Sequence, residues 1–187
     1  MNLLLITYNL LLSILITLKF KNYNFKNFLL LCIIQYFLSY LLFIKSNSTH
    51  IIYIYSTLIS ILIFLSIYDI KYKLVPPKIH ILLIFIGIIN IFFNYYNFLS
   101  YLYGAFIISI PLYLISIIKP NSFGGGDIKL YFSCGFILGY KLILSSFIVT
   151  IISSAIYCII ILIFKNKNLK SQIPFVPFIS IGIFTSM

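Results

Sequence analysis

Residues 142–164 read LILSSFIVTIISSAIYCIIILIF, an uncharged stretch bracketed by Lys141 and Lys165. About 20 mostly apolar residues suffice for a helix to cross the hydrocarbon core of a bilayer. Lipid offers no partner to a free backbone, so this stretch must be helical. Similar runs lie on either side: Leu3–Leu18, Phe28–Ile44, Ile51–Tyr68, Ile79–Phe93 and Phe98–Ile118, then a short run from Ile128 to about Leu138 and a last one from Phe175 to Met187. Across the 187 residues, 63% are hydrophobic and 8% charged, and mean hydropathy is +1.16. Such values exclude an ordinary soluble domain. Apolar runs recur along the whole chain, so the first reads as a membrane helix and not as a cleavable signal. The expected fold is all-α: one polytopic transmembrane bundle of seven to eight helices, residues 1–187 forming a single domain with the lipid bilayer around it.

All 13 basic residues are lysines. Lys19, Lys21 and Lys26 lie in the first connection, Lys71, Lys73 and Lys78 in the third, Lys119 and Lys129 about the fifth, and Lys165, Lys167 and Lys170 in the seventh. The alternate connections hold only Lys45 and Lys141. Cytoplasmic loops carry the excess of positive charge, so the odd-numbered connections are expected in the cytoplasm. The lysines are dispersed between apolar runs, which argues against a nucleic-acid partner despite the net charge of +11. Cys32, Cys134 and Cys158 sit singly within apolar runs and suggest neither a metal centre nor a disulfide framework.

Only two acidic residues occur in the chain, Asp69 and Asp127. An ionised Asp in a bilayer costs roughly 2.5–3.5 kcal/mol even on insertion scales, so two retained carboxylates call for a reason. Asp69 ends the third run and Asp127 opens the sixth, and by the lysine pattern both stand at the cytoplasmic face. Two neighbouring carboxylates share one proton. The ionised member can then activate a water while the protonated member serves a carbonyl oxygen, with no metal or cofactor required. Helix ends alone favour charge on Asp127, at a helix start, over Asp69, at a helix finish. A plainer account makes Asp127 a helix N-cap and Asp69 an interfacial partner of lysine. Gly124, Gly125 and Gly126 precede Asp127; glycine permits positive φ and close approach of a second backbone, such as an extended peptide. No Lys-Ser or Lys-Thr follows, so a phosphate loop is not indicated.

The segment Gly124-Gly125-Gly126-Asp127-Ile128-Lys129-Leu130 resembles the G-x-G-D-x-K-L signature of type IV prepilin peptidases. Asp69 with Val75-Pro76 downstream resembles that family's first aspartate and its Ile-Pro element, and Ile173-Pro174-Phe175-Val176-Pro177-Phe178 is similar to its closing I-P-F-G-P-F stretch. Pro77 and Val176 stand where the family carries Asn and Gly. The resemblance implies a membrane aspartic endopeptidase with Asp69 and Asp127 catalytic, cutting leader peptides from prepilin or pseudopilin precursors at the cytoplasmic face of a bacterial or archaeal cell membrane. Gly124, Gly125, Gly126, Lys129 and Pro76 are expected to shape the site or bind substrate. The cysteine-rich insertion of bifunctional members is missing from the Lys19–Asn27 connection, so N-methyltransferase activity is not expected. Two alternatives stand beside it: a small transporter or channel with the aspartates as coupling sites, or another intramembrane aspartyl protease. Among lesser features, Gln35, Asn90 and Ser109 are expected to bond between helices, Gly135-x-x-x-Gly139 to pack closely on a neighbouring helix, Pro111 to kink its helix, and His80 to lie at the interface.

Overall fold

The computed structural model describes residues 48–120, 122–165 and 173–187, together with residues 7, 8, 11, 14, 33–41 and 44 of the earlier chain. The run Leu3–Leu18 therefore lies largely outside the described residues and Phe28–Ile44 in part, and Cys32, Lys19, Lys21, Lys26, Lys45, Lys167 and Lys170 lie outside them. Every regular element among the described residues is helical. Residues 33–41 are helical, and six α-helices follow: α1 Thr49–Tyr72, α2 Pro77–Phe93, α3 Phe98–Ile118, α4 Gly125–Leu138, α5 Tyr140–Lys165 and α6 Val176–Ser186. Among the described residues, three helices are long and apolar enough to cross a membrane, at His50–Tyr72, Tyr95–Ile118 and Tyr140–Ile163. The chain is a polytopic membrane helix bundle.

Two compact units are present, Met1–Phe64 and Leu65–Met187, with their junction inside α1. In the first, the buried Gln35 amide donates to Ser60 Oγ at 2.5 Å, the inter-helix bond expected of a polar group in an apolar setting.

The second unit is built on α4, whose residues Leu130, Tyr131, Cys134 and Ile137 are fully buried. Helix α2 runs parallel to it: Gly87 meets Phe136, and Asn90 Nδ2 donates to the Ile137 carbonyl at 2.8 Å. Helices α3 and α5 run antiparallel to it. Phe106 packs edge-on against Phe132 at 5.3 Å and Gly104 against Gly135 and Gly139, while Tyr131 meets Phe147 at 5.4 Å. Helix α6 is antiparallel to α5, with Gly182 seated on Ser146 and Thr150 and Phe178 on Tyr157. The starts of α2, α4 and α6 and the finishes of α3 and α5 therefore share one end of this unit.

Small residues make these approaches possible. A Cβ on Gly135 would lie 2.1 Å from the Gly104 carbonyl oxygen, so α3 and α4 touch backbone to backbone, as the G-x-x-x-G spacing suggested. Gly139 closes α4 at φ +80, where a side chain is strained. Ser109 does not bond between helices; its hydroxyl donates to Ala105 O one turn back in α3. Pro111 lies within α3.

Candidate active site

Helix α1 carries Asp69 in its last turn. Lys73 ends that helix at φ 54, with its amide donating to Asp69 O at 2.8 Å. The chain then runs through Leu74, Val75 and Pro76, the N-cap of α2, with Pro77 opening the helix where a missing N–H costs nothing. Asp69 is 5% exposed. Its Oδ2 accepts the Val176 N–H at 3.1 Å, and the Phe175 amide is also turned to it. Both amides belong to the start of α6.

Asp127 lies at the third position of α4. Gly124 is the N-cap, at φ −66 and ψ 132, and makes no side-chain cap. Asp127 is therefore not the N-cap. Its carboxylate folds back over Gly124, where an added Cβ would be 2.9 Å from Oδ2. Gly125 has nothing within 4 Å of an added Cβ, whereas a Cβ added to Gly126 would lie 3.0 Å from Val75 Cβ. None of these three glycines has positive φ; the run supplies space and not a left-handed turn. Asp127 lies outside the three membrane-crossing helices. Burial first, and the nearby Asp69 charge second, push its pKa up to about 7. The two carboxylates thus act on each other electrostatically. The amides on Asp69 and the raised proton affinity of Asp127 weigh against the division of charge that helix ends alone suggest.

Lys129 is exposed and within electrostatic reach of His80. His80 is 6% exposed on α2, packed within the bundle, with neither ring nitrogen hydrogen-bonded. Pro76 follows Val75, the residue that a Cβ on Gly126 would meet. Sequence reasoning missed Phe123 and found Phe175 only as part of the closing stretch; their rings meet edge to face at 6.2 Å and join the segment before Asp127 to the one before Val176. It also missed the contact between the Val176 amide and Asp69. A backbone donor leaves no signature in residue type.

The Type IV leader peptidase family model matches residues 56–162, a stretch that includes both aspartates. The chain is similar to a Prepilin leader peptidase/N-methyltransferase of Bacillus subtilis (strain 168), with 30% identity over 125 residues, 66% of this chain and 50% of that protein. It therefore spans about half the length of the curated relative it matches. No solved structure matches it.

Proposed function

The chain belongs to the type IV leader peptidase family, and we propose that it is a membrane aspartic endopeptidase cutting the leader from prepilin-like precursors at the cytoplasmic face. One observation carries this reading: the chain's only two acids meet at one end of the Leu65–Met187 unit, close enough for one charge to raise the other's proton affinity.

In this reading Asp69 is the ionised member, because the amides of α6 stabilise its charge, and Asp127 holds the proton. Asp69 takes a proton from a water poised between the carboxyl groups as the water oxygen attacks the scissile carbonyl. Asp127 donates to the carbonyl oxygen as charge builds on it. When the tetrahedral centre collapses, the C–N bond breaks and the amine leaves with the proton that Asp69 accepted; Asp127 regains its own from the re-forming carboxyl. Lys129 is assigned to steering an acidic group of the substrate, and Gly124–Gly126 to clearing a path for its extended backbone. The apolar stretch of the precursor enters among the helices from the lipid. Methyl transfer is not assigned to this chain, since Cys32, Cys134 and Cys158 form no C-x-x-C pair. A transport role fits less well: transport sites sit near the bilayer midplane on broken helices, whereas these carboxylates flank helix ends.

Co-expression with a candidate prepilin tests the proposal. The shortened product should form with the unaltered chain and vanish with Asp69→Asn or Asp127→Asn, both still membrane-inserted. Processing retained by either variant would overturn the mechanism.

A further inference from the structure

We propose that the backbone N–H of Val176 is the positioning donor that holds Asp69 as the ionised member of the pair; this rests on the protease reading above. The donors at the start of α6 can be accounted for one by one. The first N–H groups of a helix have no partner within it and need another. Pro174 and Pro177 have no N–H to give. Phe178 and Ile179 donate to the Phe175 carbonyl at 3.1 and 3.2 Å. That leaves the amides of Phe175 and Val176, and both are directed to Asp69. Two prolines have thinned the donors of this turn until those remaining serve a single carboxylate. The 11-residue helix behind them adds the positive end of its dipole.

The turn is held in place from two sides. One turn before Asp69 in α1 and one turn after Val176 in α6, Ser66 Oγ donates to Ser180 Oγ at 3.0 Å. From the other side the Phe123 ring buttresses Phe175. A buried carboxylate cut off from water keeps its charge only where fixed donors replace those water supplied. Among the described residues of this unit, the charged and titratable groups about Asp69 are few. Asp127 of α4 faces it, and Lys71 and Lys73 of its own segment are exposed.

The test replaces Val176 by its α-hydroxy acid, turning the amide into an ester and deleting only the N–H. A hydrogen bond to a charged group contributes enough that kcat should fall roughly tenfold to a hundredfold, with KM nearly unchanged. The acid limb of the cleavage profile should move to higher pH, because a carboxylate deprived of a donor is easier to protonate. The same ester placed at the exposed Ile181 of α6 deletes an N–H within the body of that helix and should retain both rate and profile. Since the chain has only two acids, carboxyl-labelled aspartate gives two carbon resonances, assigned with Asp69→Asn. The Asp69 signal should titrate at higher pH in the ester form, a readout that needs no substrate. Unaltered kcat and titration in the Val176 ester would overturn the proposal, as would an equal loss in the Ile181 ester. Failure of the unaltered chain to cleave any precursor would instead sink the protease reading on which it rests.

Discussion

Neighbouring glycines before Asp127 make opposite demands. A methyl group added to Gly124 would lie 2.9 Å from Asp127 Oδ2, inside contact distance, whereas one added to Gly125 meets nothing within 4 Å. Displacing a reacting group by about 1 Å can cost on the order of 10²-fold in rate. Gly124→Ala should therefore lose about that much in kcat on a purified precursor, whereas Gly125→Ala should spare kcat and raise KM, its methyl entering the path of the substrate backbone; equal kcat values would show that the carboxylate is not held over Gly124. The proton on Asp127 makes a second demand. Its pKa is raised to about 7, so the protonated form prevails below that pH and is lost as pH rises through it. Cleavage should decline about tenfold per unit above pH 7, and since the carboxyls titrate as a pair, the profile reports their joint state. A rate constant to pH 9 would count against Asp127 as the proton holder. At this scale the aspartates were legible because carboxylates are costly in an apolar chain. The assignment of charge between them was not, because it depends on amides more than a hundred residues away from Asp69.

Among the helices, the best-marked contact in the sequence was the Gly135-x-x-x-Gly139 face, and its partner was invisible. Gly104 belongs to no motif, yet its carbonyl is where a Gly135 side chain would have to go, at 2.1 Å. Over-packing so close a contact forces backbones apart and typically costs about 1–3 kcal/mol. Gly135→Ala and Gly104→Ala should each lower the midpoint of thermal unfolding in detergent; an unchanged midpoint would mean that α3 and α4 separate freely. The end of α1 offers the reverse case. Lys73 is a non-glycine residue at φ 54, a conformation costing roughly 1–2 kcal/mol for an L-residue. Lys73→Gly should raise the midpoint by relieving that cost, and a lowered one would assign the lysine side chain a role of its own. Run positions were readable from hydropathy alone. The shortness of α2, α4 and α6 was readable too, whereas their neighbours were not, since hydropathy says where a helix lies along the chain and nothing of which face meets which.

Charge asymmetry and helix direction agree within the Leu65–Met187 unit. Lys71, Lys73, Lys78, Lys119 and Lys129 belong to the end that carries the aspartates, and Lys141 to the other. Cytoplasmic loops gather lysine, so the aspartate end should face the cytoplasm, the side on which a newly made precursor still displays its leader. Two exposed positions on opposite ends can report this, Asn97 before α3 and Lys119 after it. With Cys32, Cys134 and Cys158 replaced by alanine and cleavage verified, Asn97→Cys should react with a membrane-impermeant maleimide in intact cells. Lys119→Cys should react only after the membrane is opened. Labelling of Lys119→Cys in intact cells would turn the aspartates outward, away from any uncut leader, and cleavage of cytoplasmic leaders would then be physically excluded even though the carboxylate pair itself remained intact.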